Sequence, residues 1–70
     1  MKKTKVESSN LASVGYDEKT KTLEIQFHSG GIYEYRDVEK KVYDELMNAD
    51  SHGRYFIYNI KDEYDCLRLR

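Results

Sequence analysis

Cysteine occurs once in this sequence of 70 residues, at Cys66, so no disulfide can form within the chain. One cysteine and two histidines also give no group with the spacing of a zinc site, and we expect neither metal nor cofactor. No stretch approaches the roughly 18 apolar residues of a membrane span, and the basic start MKKTKVESSN continues into polar residues, unlike a signal peptide. A lone thiol is typical of a reducing compartment, so we expect a cytoplasmic protein without membrane contact.

Neither sign of charge predominates, because 12 lysines and arginines are balanced by 13 aspartates and glutamates. Nucleic-acid binders usually carry a basic excess or a basic face, so the balance weakens that class without removing it. Basic residues do gather at the two ends, as Lys2, Lys3, Lys5, Arg68 and Arg70. They make one basic patch only if the ends meet in the fold.

The length fits one domain, residues 1–70. Residues 1–10 have no apolar periodicity, so we predict a partly flexible N-terminal segment. Apolar and polar residues then alternate in ASVGYD, TLEIQFH and IYEYR. This alternation predicts an antiparallel three-stranded meander at about 12–17, 22–28 and 32–36.

Hairpin loops at 18–21 and 29–31 bring the apolar residues of these strands onto one face. The pairs expected across the loops are Val14 with Ile25, Tyr16 with Leu23, Phe27 with Tyr33, and Ile25 with Tyr35. Tyr33 and Tyr35 should therefore face the core, with their hydroxyls at its margin. On the polar face, Glu24 is expected opposite Arg36.

Two helices should follow the strands and pack on one face of the sheet. The first, at about 38–49, begins after Asp37 as N-cap, and the second, at about 51–62, begins at Ser51. The apolar residues at helical spacing are Val38, Val42, Leu46 and Ala49 in the first and Phe56, Ile60 and Tyr64 in the second. The tail CLRLR predicts a short C-terminal edge strand, and the fold class is α+β.

Catalytic groupings are not apparent in the order of the serines, histidines and the cysteine. His28 falls at a hairpin shoulder and His52 in a helix junction, so both are predicted to be surface residues. Cys66 is interpreted as a small buried apolar residue. We therefore expect no enzyme activity.

The stretch SHGRYF suggests an anion site at the start of the second helix, where backbone N–H groups lack partners. The candidate ligand residues there are Ser51, His52, Gly53 and Arg54. The alternative is that Ser51 is only a helix cap and Gly53 only eases the junction between helices. A tyrosine left uncovered by the helices would be a stacking platform for a base, and the candidates are Tyr35, Tyr55 and Tyr58.

Several separated motifs resemble the KTSC domain, a module named for its occurrence at the C-terminus of some lysyl-tRNA synthetases. They are SSNLASVGYD, LEIQF, GGIYEY, YDELMNADSHGRYF and NIKDEY, and the resemblance runs from about Val6 to Tyr64. The family often has valine-proline where this chain has Val38 and Glu39, and asparagine where it has Ile57. An acidic residue suits the first turn of a helix, so Glu39 is compatible with the fold. The isoleucine at Ile57 weakens any ligand role at that position.

The resemblance implies RNA binding only through the association with a tRNA synthetase. Two functions therefore remain open. The first is a non-catalytic module that binds RNA or another phosphate-bearing ligand. The second is a protein-interaction module, or a phage or host accessory factor, that binds a protein partner or itself through the sheet edge or an aromatic rim, as a monomer or weak homodimer.

Overall fold

Alternating apolar residues build an antiparallel sheet, and two amphipathic helices cover one face of it. The computed structural model describes residues 2–70, and the elements below are those of this part of the chain. The strands are β1 (Lys3–Lys5), β2 (Leu11–Asp17), β3 (Thr22–Phe27), β4 (Ile32–Tyr35) and β5 (Cys66–Arg68). The helices α1 (Lys40–Asn48) and α2 (His52–Asn59) lie between β4 and β5. The sheet order is β1-β2-β3-β4-β5, and the predicted α+β class and C-terminal edge strand are confirmed.

The prediction of three strands before the helices is wrong, because the structure of residues 2–70 has four there. The additional strand, β1, falls in the segment 1–10 that was expected to be partly flexible. All its residues are exposed, so no apolar alternation marks it, and it is held by pairing with β2, with Lys3 opposite Gly15. Because β1 and β5 form opposite edges of the sheet, the basic ends of the chain do not meet.

The β2–β3 pairing confirms the expected partners, Val14 with Ile25 and Tyr16 with Leu23. A register shift between Leu11 and Ser13 inserts one extra residue into β2. Leu11 and Val14 are both fully buried although they are three positions apart. The bulge reverses the alternation between them and so explains why strict alternation does not identify Leu11 as a core residue.

The β3–β4 register differs by two residues from the prediction. Ile25 lies opposite Tyr33 and Leu23 opposite Tyr35, because the three-residue loop is 28–30 rather than 29–31. Gly30 has φ +103 and supplies the left-handed position of this loop. A shift of two keeps each side chain on its face, so the core-facing orientation of both tyrosines is confirmed.

The polar face shows the consequence of this shift. Glu24 lies opposite Glu34 rather than Arg36. The Glu24 carboxylate instead pairs with Lys3 of β1 at 2.8 Å, and Arg36 Nε donates to Glu34 Oε1 at 3.3 Å. The strand that the sequence pattern does not reveal thus supplies the partner of Glu24.

Helix α1 begins at Lys40 with Glu39 as its N-cap residue, and Asp37 is not the cap. Asp37 has φ +59 and lies in the turn that precedes the helix. The N-cap role of Ser51 is confirmed, since its hydroxyl accepts the Arg54 N–H at 3.2 Å. Both helices are shorter than predicted, α1 covering Lys40–Asn48 and α2 covering His52–Asn59.

The core lies between the sheet and the two helices. Its buried hydrophobic residues are Leu11, Val14, Leu23, Ile25, Tyr35, Val38, Leu46, Phe56 and Ile60. Tyr16 stacks on Tyr43 with ring centroids 5.0 Å apart and joins β2 to α1. No helix among residues 2–70 is long and apolar enough to cross a lipid bilayer.

Candidate binding groove

The helices leave an open groove of about 620 Å³ on the covered face of the sheet, beside α2 and the β3–β4 hairpin. Its base is aromatic: Tyr35 is 4% exposed and Phe56 5% exposed, and Phe27 and Tyr33 are half-buried. Its rim is formed by exposed residues, which are Ser9, Asn10, His28, Ser29, Ile57, Lys61, Asp62 and Cys66. Volume and composition are those of a small-molecule site, a few polar groups around an apolar base.

Edge-to-face contacts between rings fix the base of the groove. The Phe56 ring lies 5.5 Å from both the Phe27 and the Tyr35 ring, and Phe27 lies 5.6 Å from Tyr33. Burial raises the pKa of Tyr35 to about 12. The Tyr35 phenol is therefore neutral at ordinary pH, and the base of the groove carries no phenolate charge.

One wall of the groove is the loop before β2, which carries Ser9 and Asn10 and depends on Ser8. Its hydroxyl accepts the N–H groups of Asn10 and Leu11, each at 3.2 Å, and thereby shapes the loop before β2. A Cβ on Gly53 would lie 3.3 Å from Ser8 Oγ and 3.5 Å from Asn10 Nδ2. The glycine thus lets this loop pack directly on α2.

His28 closes the same region from the hairpin. Its Nε2 lies 2.9 Å from the Ser8 carbonyl oxygen, and its backbone N–H donates to the Asn10 carbonyl at 3.0 Å. His28 therefore fixes the rim of the groove, and it is exposed, as predicted.

The predicted anion site at the start of α2 is largely occupied by structural contacts. Ser51 caps the helix, and His52 Nδ1 lies 2.8 Å from the Leu46 carbonyl oxygen, which holds the ring against the end of α1. His52 is partly buried rather than a surface residue, and Gly53 is buried under Asn10. Arg54 is exposed, and its guanidinium makes no ion pair within residues 2–70.

The three candidate tyrosines have different environments. Tyr35 is covered by α2, against the expectation that the helices leave it open, and it contributes to the base of the groove. Tyr55 is half-buried and donates its hydroxyl to Glu45 Oε1 at 2.6 Å. Tyr58 is 73% exposed and lies four residues after Arg54, so both side chains lie on one face of α2.

Lys61 and Cys66 are site residues that the sequence pattern does not identify. Cys66 is exposed at the rim of the groove, so its interpretation as a buried apolar residue is wrong. Arg68 lies two residues after Cys66 on β5, and its guanidinium is 5.7 Å from the centroid of the Tyr33 ring. Cys66 and Arg68 reach the hairpin through the β4–β5 pairing. In the sequence, this strand is indicated only by the alternation in CLRLR.

A family model and a solved structure point to the same family. A family model described as the KTSC domain matches residues 7–64. The chain is 41% identical over 64 residues to an uncharacterised protein of Stutzerimonas stutzeri, covering 91% of this chain and 90% of that protein. It is 42% identical over 60 residues to a lysine–tRNA ligase of Nostoc punctiforme, covering 86% of this chain but only 11% of the ligase.

Among solved structures, a KTSC domain protein of Yersinia pestis superposes with a TM-score of 0.96 at 36% identity, covering 99% of this chain and 97% of that one. The resemblance noted in the sequence motifs is therefore confirmed over nearly the whole chain. The chain belongs to the KTSC domain family.

Proposed function

We propose that this chain is a non-catalytic binding module that takes an unpaired nucleotide of RNA into the groove. The observation that carries the proposal is the aromatic base of an open site of about 620 Å³, in which the half-buried rings of Phe27 and Tyr33 lie over buried Tyr35 and Phe56. Proteins that bind single strands combine basic residues, which follow the phosphates, with aromatic rings that contact the bases. Polar groups of Asn10 and Ser29 at the rim are of the kind that bond base edges.

The exposed side of α2 supplies the groups that RNA requires outside the groove. Helical spacing brings Arg54, Ile57 and Tyr58 to neighbouring positions, and Lys61 follows at the rim of the groove. In this proposal Arg54 and Lys61 bind phosphates on either side of the held nucleotide, and Tyr58 offers a ring for the next base. Asp62, also at the rim, repels phosphate and restricts its path.

Relatives that contain the module support the same ligand class. The lysine–tRNA ligases that match carry it as 11% of their length, and their name specifies an RNA as one of the molecules they join. A net charge of −1 predicts weak binding, with few phosphate contacts and a dependence on stacking.

The experiment is a titration of fluorescently labelled single-stranded RNA of mixed sequence at about 50 and 200 mM salt. Two phosphate contacts predict a log-log salt slope of about 1.4, which is about a sevenfold loss of affinity over this range. Arg54→Ala and Lys61→Ala should each weaken binding and lower the slope by about 0.7. Absence of binding at the lower salt concentration overturns the proposal.

Matched control variants distinguish RNA binding at the groove from nonspecific electrostatic attraction. Lys41→Ala removes one exposed positive charge from α1, away from the groove, and should leave the affinity unchanged. Tyr58→Ala should weaken binding by at least about fivefold if its ring stacks on a base. If Lys41→Ala weakens binding as much as Lys61→Ala does, the groove is not the site.

A further inference from the structure

The outer edge of β5 offers unpaired backbone groups. Arg36 N–H donates to the Asp65 carbonyl at 2.9 Å and Leu69 N–H donates to the Ile32 carbonyl at 2.8 Å, so within residues 65–69 the odd-numbered positions face β4. Arg70, after the strand, also bonds to Ile32. Antiparallel strands alternate the direction of their backbone groups. The N–H and C=O groups of Cys66 and Arg68 therefore point away from the sheet, where no other strand of residues 2–70 lies.

The two faces of this edge differ in chemistry. Arg68, opposite Tyr33, lies on the same face as the groove. Leu67, opposite Glu34, and Leu69 lie on the other face and are 49% and 47% exposed. A strand added beside β5 would therefore place alternate side chains next to a cation and next to leucines.

A second copy of this chain fits the edge poorly. In antiparallel pairing of two β5 strands, the Arg68 side chains of both copies lie on one face, directly opposite or diagonal to each other, and this placement of like charges disfavours the pair. The free edge of β1 carries Lys3 and Lys5, again cationic, and these would lie beside the exposed leucines. Charge on an edge strand is a common means of preventing such self-pairing.

We propose that the outer edge of β5 binds an extended segment of a partner protein as an additional strand, with acidic residues beside Arg68 and apolar residues beside Leu67 and Leu69. Backbone bonds to Cys66 and Arg68 supply the register, and the alternation of acidic and apolar residues supplies the selectivity. This edge adjoins the groove at Cys66 but lies away from the outer face of α2, and the proposal does not depend on RNA binding.

The test uses two labelled peptides of about seven residues, one alternating glutamate with valine and the other alternating lysine with valine. The glutamate peptide should bind at least about tenfold more tightly. It should also slow solvent exchange of the Cys66 and Arg68 amides, measured by NMR. Equal affinity for the two peptides, or binding without protection of these amides, overturns the proposal, as does protection by single-stranded RNA but not by the glutamate peptide.

Two substitutions make the test specific. Arg68→Glu should reverse the preference, so that the lysine peptide becomes the tighter ligand. Cys66→Pro removes one outward N–H while sparing the bonds to β4, and it should bind the glutamate peptide at least about fivefold more weakly than Cys66→Ala. If Cys66→Pro does not fold, the reversal in Arg68→Glu decides, and an unchanged preference there contradicts the proposal.

Discussion

Phe56 of α2 meets Tyr35 of β4 edge to face, with ring centroids 5.5 Å apart and an interplanar angle of 77°. The Phe56 ring contacts Phe27 of β3 in the same way, at 5.5 Å and 67°. One side chain of α2 therefore joins two strands and also forms the base of the groove. Packing of the helix and the shape of the candidate site depend on the same ring.

We predict that Phe56→Ala lowers the free energy of unfolding by about 3 kcal/mol, since the cost of truncating a buried aromatic ring includes the cavity left behind. Ile57→Ala, at the next position and 48% exposed, should cost less than about 1 kcal/mol. Urea unfolding followed by circular dichroism measures both. Similar losses for the two variants would mean that Phe56 is not the residue that holds α2 on the sheet.

A second prediction concerns alkaline pH. Burial raises the pKa of Tyr35 to about 12, and burial with the hydrogen bond to Glu45 raises the pKa of Tyr55 to about 12, against 10.0 for an ordinary tyrosine. As pH rises above 10, the unfolded chain releases these protons before the folded chain does. The stabilisation is therefore complete below pH 10 and is lost as pH rises towards 12.

Urea unfolding between about pH 9 and pH 11 measures this loss. Tyr35→Phe removes one of the two groups, so its stability should fall less steeply than that of the wild-type chain. Tyr58→Phe, which removes a 73% exposed phenol, serves as the control because it keeps both Tyr35 and Tyr55. Parallel curves for the two variants would contradict the burial of Tyr35.

A third prediction concerns the backbone of the β2–β3 loop. Lys21 has φ +55, a left-handed conformation that costs a residue with a side chain roughly 1–2 kcal/mol. Glycine at position 21 removes that strain. Glycine at position 19 relieves no strain and only increases the conformational entropy of the unfolded chain, which lowers stability. Lys21→Gly should therefore unfold at a higher urea concentration than Lys19→Gly, although it loses the exposed ion pair with Glu39. The opposite order would contradict the loop conformation.

How far the sequence predicts the fold depends on side-chain alternation. Alternation assigns faces, so the inward direction of Tyr33 and Tyr35 could be predicted although their partners were two residues away from those expected. Shifting a strand by two residues preserves the faces, and the sequence offers a glycine to either loop, Gly30 to 28–30 and Gly31 to 29–31. The structure uses Gly30, which has φ +103. β1 could not be predicted, because a lysine-threonine-lysine edge strand buries no side chain.

The candidate site was harder to predict than the fold. The start of α2 is predicted to be an anion site because its motif is local, yet Ser51 and His52 are engaged there by helix-end contacts. The groove instead combines the loop before β2, a hairpin, α2 and β5, so its rim residues are distant in sequence. These residues come together through strand pairing and the packing of α2, and neither can be predicted from local periodicity.

The last prediction concerns Ser8 and the wall of the groove. Ser8→Ala leaves the Asn10 and Leu11 N–H groups without their acceptor and should lower the free energy of unfolding by about 1–2 kcal/mol. Ser9→Ala changes an exposed neighbour and should cost less than about 0.5 kcal/mol. Amide exchange at Asn10 and Leu11 should accelerate in the first variant only.

Gly53 provides an independent check on the same wall, because an added Cβ would lie 3.3 Å from Ser8 Oγ. Alanine favours helix over glycine by about 1 kcal/mol, but in the wild-type chain this gain is opposed by crowding against a hydroxyl that two N–H groups hold in place. Without that hydroxyl the crowding is relieved, so Gly53→Ala should be more favourable in the Ser8→Ala chain than in the wild type. A double-mutant cycle by urea unfolding measures this coupling, and strict additivity would show that Ser8 does not pack on α2.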